Sequence, residues 1–284
     1  MTQIIDGRKI SGMIKDEVKA ETAVLREQGI KLTLAVIQVG EDPASTVYVR
    51  NKQKACEYTG IESVKIAMPP QTTREQLLAK VKELNEDPAV NGILVQLPLP
   101  SGLDANEVIR AISPLKDVDG FHPQSVGALS IGLPGFKSCT PAGIIELLKR
   151  SGIEIEGKEC VIVGRSNIVG KPMAMLMIRE NATVTVAHSK TKDLPAVCRR
   201  ADILITAVGK ARMFTADYVK PGAAVIDCGM NRDENGKLCG DVDYEDVFPA
   251  AGAITPVPGG VGPMTVAMLM KNCLESARIQ GIVK

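Results

Sequence analysis

The chain has 284 residues, of which 45% are apolar and 24% charged, and its formal net charge at pH 7 is +1. This length predicts about two domains, and the ordinary composition excludes a disordered, collagen-like or low-complexity protein. The near-neutral charge and the lack of Trp argue against nucleic acid as a partner, because phosphate backbones need a basic surface and single strands need aromatic stacking platforms.

The cysteines and histidines give no sign of a metal site or a disulfide framework. Seven cysteines are scattered without a C-x-x-C pair, and His122 and His188 are the only histidines. Small buried thiols in a reducing compartment explain this pattern. The first residues have no apolar segment, and no apolar run approaches the about 18 residues that a membrane span needs. We therefore expect a soluble cytoplasmic protein with no metal and no membrane partner.

Helical and strand patterns alternate along the first 112 residues. Asp42 and Pro43 have the character of an N-cap and a first helical residue, and Gly60 is a stop signal. Apolar spacing predicts helices at residues 7–29, 42–58, 73–86 and 104–112, and strands at residues 32–39, around Val64 and Ile66, and at 93–97.

A stretch rich in Pro and Gly, residues 114–141, is the predicted domain junction, and a second alternating series follows it. Helices are predicted at residues 141–150 and 265–280, and strands at 159–164, 183–187, 203–208, 223–227 and 253–257. Such alternation predicts parallel sheets. We expect an α/β protein with an N-terminal α/β domain (1–120), a Rossmann-like parallel-sheet domain (140–265), a cleft between them, and residues 266–284 packing back on the first domain.

A small-residue loop joins a strand to a helix in residues 160–172 (CVIVGRSNIVGKP), as in pyrophosphate sites. Ser166 replaces the second glycine of G-x-G-x-x-G, and an ordinary strand-to-helix turn explains the loop equally well. The next strand ends in His188 and Ser189, without the carboxylate that binds the ribose of NAD. Arg165, with Ser189, could instead hold a 2′-phosphate, which favours NADP.

Polar residues in the first domain suggest a reaction site. Tyr48 and Lys52 share one face of a predicted helix. A solvated lysine is the usual explanation, and a proton carrier is the alternative. Gln96 places an amide in an apolar strand end, where it either pairs structurally or contacts a ligand or the lysine. Asp119 could bind a heterocycle with amino and ring N–H groups, although an Asp-Gly turn explains it as well.

Two further segments are ambiguous. His122, in Phe-His-Pro, is more typical of a structural loop residue than of an acid–base catalyst. Residues 255–265 (TPVPGGVGPMT) are too rich in Pro and Gly for a helix or a long strand. They form either a connecting loop or a rigid wall that the backbone of a ligand site provides.

Five motifs in the same order and spacing resemble the bifunctional methylenetetrahydrofolate dehydrogenase/methenyltetrahydrofolate cyclohydrolase family, essentially from end to end. They are residues 48–52 (YVRNK), 95–100 (VQLPLP), 116–122 (KDVDGFH), 164–170 (GRSNIVG) and 258–265 (PGGVGPMT). The resemblance implies that NADP oxidises 5,10-methylenetetrahydrofolate and that the methenyl product is hydrolysed to 10-formyltetrahydrofolate. This chemistry belongs to one-carbon metabolism, which supplies purine and related biosynthesis.

The resemblance also implies roles for residues and a partner. It implies catalytic positions at Lys52, Tyr48, Gln96 and Asp119, with folate bound by the first domain and NADP by the second. Tetrahydrofolate derivatives would contact Tyr48, Val95, Gln96, Leu97, Asp119, Pro258, Gly259, Gly260, Val261 and Gly262. NADP would contact Gly164, Arg165, Ser166, Ser189 and Met230, where many relatives have isoleucine. A homodimer joined through the nucleotide-binding domains is typical of the family.

Two other functions remain open from the residues alone. A two-domain NADP dehydrogenase of the shikimate dehydrogenase type would have a similar nucleotide domain, but it would not require the Tyr48–Lys52 helix together with the Pro258 loop. A folate-binding protein without catalysis is the second alternative, and the intact Lys52 argues against it. Hydride-donor screening with methylenetetrahydrofolate and shikimate separates these functions.

Overall fold

The computed structural model describes residues 1–283, which divide into two compact units. The six-stranded unit consists of residues 1–12 and 138–265, and the three-stranded unit consists of residues 13–137 and 266–283. The predicted boundaries, 1–120 and 140–265, differ from these units at the amino terminus, because the first strand joins the six-stranded sheet. Residues from 266 onward are grouped with residues 13–137 in the three-stranded unit.

Strands and helices alternate along both halves of the described chain. The strands are β1 (Gln3–Ile4), β2 (Thr33–Val39), β3 (Glu62–Met68), β4 (Gly92–Val95), β5 (Glu159–Val163), β6 (Thr183–Ala187), β7 (Ile203–Thr206), β8 (Ala224–Asp227), β9 (Asn231–Arg232), β10 (Leu238–Cys239) and β11 (Ala253–Ile254). The helices are α1 (Gly7–Glu27), α2 (Pro43–Thr59), α3 (Arg74–Glu86), α4 (Ala105–Ala111), α5 (Pro123–Ile131), α6 (Cys139–Arg150), α7 (Gly170–Arg179), α8 (Leu194–Cys198), α9 (Tyr244–Val247) and α10 (Val261–Ile279).

The three-stranded unit is a parallel sheet in the order β3-β2-β4. Every residue of the central strand β2 is buried, including the polar Thr33 and Gln38, as its mainly apolar sequence predicts. Leu77, Val81 and Leu84 pack the buried face of α3 on one side of this sheet. Each large side chain buried in this way contributes roughly 1.5–3 kcal/mol to folding. The sheet edge that follows β2 and β4 is thereby held on a rigid base.

Helix α2 begins and ends where the sequence predicts. The Asp42 carboxylate accepts a hydrogen bond from the Ser45 backbone N–H (2.7 Å), and Pro43 occupies the first turn. Gly60 ends the helix at a φ of 76°, a left-handed conformation that glycine adopts without strain. Because α2 directly follows β2, its first turns start at the carboxyl edge of the sheet.

The six-stranded unit is a parallel sheet in the order β1-β11-β8-β7-β5-β6. The chain runs from β5 to β6 on one side and then returns to β7 on the other side of β5. This reversal creates a switch point between β5 and β7, and ligands of such sheets bind at the carboxyl ends of the strands there. The predicted Rossmann-like topology is therefore confirmed, although β7 and β11 end earlier than predicted.

Several elements differ from the sequence predictions. Helix α5 lies inside the predicted junction, with Pro123 in its first turn and Gly132 at its carboxyl end. Helix α10 starts at Val261 rather than at residue 265, because Gly and Pro are tolerated in a first turn whose N–H groups have no intrahelical acceptors. The two-residue strands β1, β9 and β10 were not predicted. Within residues 1–283, no helix has the length and apolar character of a membrane span.

Candidate active site

Lys52 and Gln96 are hydrogen-bonded at the carboxyl edge of the three-stranded sheet. The Lys52 Nζ on α2 donates to Gln96 Oε1 over 2.9 Å. Gln96 follows β4, and its backbone N–H donates to the Ile37 carbonyl (2.8 Å), which extends the pairing with β2. Its Nε2 donates to the Leu97 carbonyl (2.7 Å), so the amide presents its oxygen to the amine. Of the two explanations for Gln96, the structure shows the contact with the lysine.

Asp119 lies close enough to Lys52 for their charges to interact. Partial burial raises the pKa of the Asp119 carboxyl, and the positive charge of Lys52 opposes this rise. Tyr48 is half-buried one turn before Lys52 on the same helix. Val95, at the end of β4, is buried, and Leu97 is partly buried. The Lys52–Gln96 pair thus has a carboxylate within electrostatic range, a phenol one turn away on the same helix, and apolar residues on either side of Gln96 in the sequence.

A second carboxylate, Asp117, shapes the segment that carries Asp119. Asp117 is buried and forms an isolated parallel bridge with Ile93 of β4. Its carboxylate accepts hydrogen bonds from Ser125 Oγ (2.7 Å) and from the backbone N–H of His122 (2.8 Å). Burial raises the pKa of Asp117 to about 6. Sequence reasoning missed this residue, because its role depends on a bridge between distant segments.

His122 has a structural role, as its loop sequence predicted. Its Nδ1 accepts a hydrogen bond from the Gln124 backbone N–H over 3.1 Å and caps α5. Burial lowers the pKa of the imidazole, which disfavours the charged form.

In the six-stranded unit, residues 164–169 join β5 to α7, and glycine is required at the first residue of this connection and at the first residue of α7. Gly164 has a φ of 138°, and a Cβ there would lie 2.4 Å from the Ala207 carbonyl oxygen. A Cβ on Gly170 would lie 2.2 Å from the Gly164 carbonyl oxygen. Ser166 Oγ accepts the backbone N–H groups of Val169 (3.1 Å) and Gly170 (3.3 Å). The loop therefore folds tightly onto itself at the start of α7.

Arg165 and Ser189 lie at the ends of adjacent strands. Val163 of β5 pairs with Ala187 of β6, and each polar residue follows its strand by two positions. Both side chains are exposed. The turn after β6 is closed by the His188 backbone N–H, which donates to Thr191 Oγ1 (2.9 Å). This places a cation and a hydroxyl on the same edge, with no carboxylate in the four residues after β6.

Ser138 also supports this loop, although sequence reasoning missed it. It is buried, and its Oγ donates to the Ile168 carbonyl over 2.6 Å. Its only sequence signal is that it precedes the Cys139 helix, which is typical of an ordinary helix cap.

The Pro-Gly segment is held by the first turn of α1. The Arg8 backbone N–H donates to the Gly259 carbonyl over 3.1 Å. A Cβ on Gly7 would lie 1.8 Å from the Gly260 carbonyl oxygen, so only glycine permits this approach. Pro258, Gly259 and Gly260 are therefore a fixed loop in the six-stranded unit.

The remaining two positions of the predicted wall are helical. Val261 and Gly262 form the first turn of α10, which corrects the expectation that the whole run is non-helical. Met230, after β8, is 48% exposed, and its Sδ is 3.7 Å from the position of a Cβ on Gly262. Met230 and the start of α10 thus lie side by side.

The predicted site residues fall into one group in each unit. Lys52, Tyr48, Val95, Gln96, Leu97 and Asp119 belong to the three-stranded unit, and Gly164, Arg165, Ser166, Ser189, Met230, Pro258, Gly259, Gly260, Val261 and Gly262 to the six-stranded unit. Among the described residues, no set of three or more His, Cys, Asp or Glu side chains is arranged to hold a metal ion.

The parallel sheet, its switch point and the glycine loop define a dinucleotide-binding α/β protein with a second, lysine-bearing α/β unit. Residues 5–119 match the family model "Tetrahydrofolate dehydrogenase/cyclohydrolase, catalytic domain", and residues 138–281 match "Tetrahydrofolate dehydrogenase/cyclohydrolase, NAD(P)-binding domain". The chain belongs to the tetrahydrofolate dehydrogenase/cyclohydrolase family.

Similar proteins cover the chain from end to end. The bifunctional protein FolD of Lachnoclostridium phytofermentans is 66% identical over 98% of this chain and 99% of its own. The crystal structure of the bifunctional FolD enzyme of Campylobacter jejuni has a TM-score of 0.96 and 48% identity, covering 99% of this chain and all of that one. The Trypanosoma brucei enzyme, solved with NADP and an inhibitor, has a TM-score of 0.94 and 39% identity, covering 100% of this chain and 99% of its own.

A more distant likeness bears on the shikimate dehydrogenase alternative. Shikimate 5-dehydrogenase of Thermus thermophilus has a TM-score of 0.55 and 18% identity, covering 87% of this chain and 98% of that one. At that identity the likeness concerns the fold alone.

Proposed function

We propose that this protein oxidises 5,10-methylenetetrahydrofolate with NADP and hydrolyses the methenyl product to 10-formyltetrahydrofolate at one site. Membership of the family supports both activities. The observation that carries the assignment of the chemistry to particular residues is the 2.9 Å hydrogen bond from Lys52 Nζ to Gln96 Oε1, with the Asp119 charge nearby.

The six-stranded unit has the features that NADP requires. The loop at Gly164 and Gly170 folds tightly against its own backbone, and the start of α7 that follows it would face a pyrophosphate. Arg165 would bind the 2′-phosphate, with the Ser189 hydroxyl donating a second hydrogen bond. Ser166 would contribute through the loop that its Oγ holds together. When bound, NADP accepts the hydride from the one-carbon bridge of the substrate, and Met230 would pack beside the nicotinamide.

The three-stranded unit would hold the folate ring and move a proton. Asp119 would accept hydrogen bonds from the amino and ring N–H groups of the pterin. Tyr48, Val95 and Leu97 would line the ring, and Pro258 in the six-stranded unit is a further folate contact that the family resemblance implies. Such positioning holds the one-carbon bridge in line for hydride transfer. Gln96 Oε1 would keep the Lys52 amine in a single orientation toward the reacting carbon.

Hydrolysis follows at the same carbon. The methenyl group is an electrophilic cation, and water adds to it with loss of a proton. The neutral Lys52 amine would accept that proton, and the resulting ammonium would return it to a folate nitrogen as the ring C–N bond breaks. As the C=O bond forms, the remaining hydroxyl proton of the added water is released to solvent. One water is therefore consumed, one proton and the positive charge leave the folate, and the formyl group stays on the other nitrogen. One amine thus serves both directions of proton transfer.

A homodimer is the oligomeric state that we propose. Strand β6 lies at an edge of the six-stranded sheet, and its Val186 is 40% exposed. Ile178, on the neighbouring helix α7, is 52% exposed. Unpaired apolar edge strands favour pairing with another chain. In a dimer with a two-fold axis, the β6 edge of each copy would be covered by the β6 edge of the other.

The test uses the purified protein with 5,10-methylenetetrahydrofolate and NADP, following the absorbance of NADPH and of the methenyl product together. NADPH should form, and methenyltetrahydrofolate supplied alone should be hydrolysed without NADP. Shikimate in place of the folate should give no NADPH. A protein that binds folate but performs neither reaction would be the non-catalytic alternative.

A further inference from the structure

Two buried carboxylates tie together the loops at the carboxyl edge of the six-stranded sheet. Asp227 ends β8, and Asp241 follows β10 by two residues. The Asp241 carboxylate accepts hydrogen bonds from three successive backbone N–H groups after β7: Val208 (2.7 Å), Gly209 (3.2 Å) and Lys210 (2.8 Å). One side chain therefore fixes the path of the whole loop.

Asp241 is connected to the loop after β8 as well. Its Oδ1 also accepts the Asn231 Nδ2 (2.9 Å), and its own backbone N–H donates to Asp227 Oδ1 (2.9 Å). Asp227 Oδ1 in turn accepts the Gly229 backbone N–H (2.8 Å). Asp227 and Asp241 are 3% and 0% exposed, and among the described residues neither pairs with Lys or Arg. Backbone N–H groups thus satisfy the acceptor oxygens of both buried carboxyl groups.

Two glycines make this arrangement possible. A Cβ on Gly229, near Asp227, would lie 2.5 Å from Asp241 Oδ1. A Cβ on Gly240, next to Asp241, would lie 1.8 Å from Asp227 Oδ2. The Asp241 carboxylate therefore occupies the space that a side chain at position 229 would need. The Asp227 carboxylate likewise occupies the space that a side chain at position 240 would need. The pattern Asp-Cys-Gly at residues 227–229 and Gly-Asp at 240–241 encodes a reciprocal pair.

The two loops belong to the nicotinamide side of the switch point. The Ala207 carbonyl, in the first residue after β7, packs against Gly164 in the connection between β5 and α7. Strands β7 and β8 lie on the other side of β5 from β6, where Arg165 and Ser189 would hold the 2′-phosphate. A dinucleotide spans the switch point, so its nicotinamide half faces the ends of β7 and β8. Met230 lies between the two residues, Gly229 and Asn231, that contact the carboxylate pair.

We propose that Asp241 is a positioning residue for cofactor binding: its carboxylate holds the loops at residues 208–210 and 229–231 as the wall against the nicotinamide half of NADP. The inference rests on the proposed NADP-dependent activity. An asparagine at position 241 has one acceptor oxygen in its side chain, whereas the aspartate has two. The four hydrogen-bond donors that now bind the carboxylate would compete for that single oxygen. The loops would then lose their fixed path, while the site around Lys52, in the other unit, keeps its own contacts.

The experiment compares the full-length protein with its Asp241→Asn variant. Four quantities are measured: the KM for NADP, the calorimetric Kd for NADP, the rate of methenyltetrahydrofolate hydrolysis without NADP, and the inhibition constant of 2′,5′-ADP. This inhibitor has only the half of NADP that Arg165 would bind. We expect the KM and Kd for NADP to rise about tenfold or more. Hydrolysis and the inhibition constant of 2′,5′-ADP should change by less than about twofold.

Asp233→Asn is the matched control. Asp233 lies in the same β9–β10 hairpin and also accepts backbone N–H groups, from Asn235 (3.0 Å) and Lys237 (2.9 Å), but at the tip of the turn. It should leave the Kd for NADP unchanged. Asn231→Ala removes one hydrogen-bond donor to Asp241, from a partly exposed position, and should raise the Kd for NADP about threefold. If Asp241→Asn does not fold, this variant tests the role of Asp241 in its place.

Distinct results would overturn the inference. An unchanged Kd for NADP, an equal loss of both activities, or a loss of 2′,5′-ADP affinity as large as that for NADP would each contradict it. An unmodified protein that binds NADP without reducing it would contradict the proposed function instead, and the comparison of Kd values for Asp241 would still hold.

Discussion

At the level of single residues, the amide of Gln96 gives Lys52 a defined orientation. Gln96 uses its Nε2 on the Leu97 carbonyl, which leaves Oε1 for the amine. A lysine side chain hydrogen-bonded to a neutral amide oxygen keeps its capacity to exchange a proton. A carboxylate in the position of the amide would favour the charged form of the lysine. The choice of Gln rather than Glu therefore suits the proton transfer that we propose for Lys52.

Replacement of Lys52 by Met should remove hydrolysis of methenyltetrahydrofolate by at least about 100-fold, the lower range for a general acid–base group. Folate binding should persist, because Tyr48 and Asp119 remain. Initial rates with the methenyl substrate and a folate-binding titration check this. If oxidation partly survives, the methenyl product should accumulate. Hydrolysis at the normal rate would exclude Lys52 from the mechanism, and loss of folate binding would make it a structural residue.

Arg165→Ala should raise the KM for NADP by about 10- to 150-fold, equivalent to about 1.5–3 kcal/mol for a lost charge-assisted hydrogen bond. The KM for the folate substrate should stay nearly the same. Arg179→Ala, at the far end of α7, is the control and should have no effect on either value. Equal use of NAD and NADP by the unmodified enzyme would contradict the assignment.

Asp117 should give the protein a pH-dependent stability. Its pKa of about 6 in the folded state exceeds the ordinary value of 3.8, so the folded chain binds more protons between these pH values. Its contribution to the free energy of unfolding therefore falls as the pH rises from about 4 to about 6. The stability of the unmodified protein relative to Asp117→Asn should be larger at pH 4.5 than at pH 7.5, by about 2 kcal/mol. Urea denaturation at both pH values measures it, and a constant difference would refute the assignment.

At the level of elements, long patterns were predictable and short ones were not. The apolar stripe of α1, the buried run of β2 and the caps of α2 appear locally in the sequence, and the structure confirms them. Strand β1 has two residues, and its pairing with β11 joins positions about 250 residues apart. The local periodicity of the sequence cannot predict a contact between such distant positions.

The candidate site was predictable to a similar extent. Motifs located Lys52, Gln96 and Arg165, because their strand and helix ends are visible in the sequence. Asp117, Ser138 and Asp241 were missed, because each acts through hydrogen bonds to distant backbone. An aspartate that holds a loop has the same local sequence as one in a turn.

Two helical glycines should respond in opposite ways to substitution by alanine. Gly170→Ala brings a Cβ against the Gly164 carbonyl, so it should lower the melting temperature and weaken NADP binding. Gly12→Ala, inside α1, meets no atom within 4 Å and should stabilise the protein by about 0.5–1 kcal/mol. Thermal denaturation of both variants is the measurement. Similar behaviour of the pair would show that backbone crowding does not explain Gly170.

At the level of the whole molecule, the exposed edge of β6 predicts how two copies associate. Val186→Lys should place a charge on this edge and shift the protein toward a monomer. Ile131→Lys, at a 73% exposed position on α5 in the other unit, is the control and should leave the molecular mass unchanged. Size-exclusion chromatography with light scattering measures both. A dimer that persists in Val186→Lys would place the interface elsewhere.

The return of the chain in α10 has a consequence for its synthesis. Asn272 Nδ2 donates to the Val118 carbonyl (2.7 Å) and the Lys137 carbonyl (2.9 Å), and thereby braces the segment that carries Asp119. On a ribosome, all the candidate catalytic side chains emerge within the first 119 residues, yet their support is translated last. Strand β1 likewise can pair with β11 only after residues 253–254 have been synthesised. A chain released before α10 is complete would therefore carry Lys52, Gln96 and Asp119 without the two hydrogen bonds from Asn272 that brace the Asp119 segment.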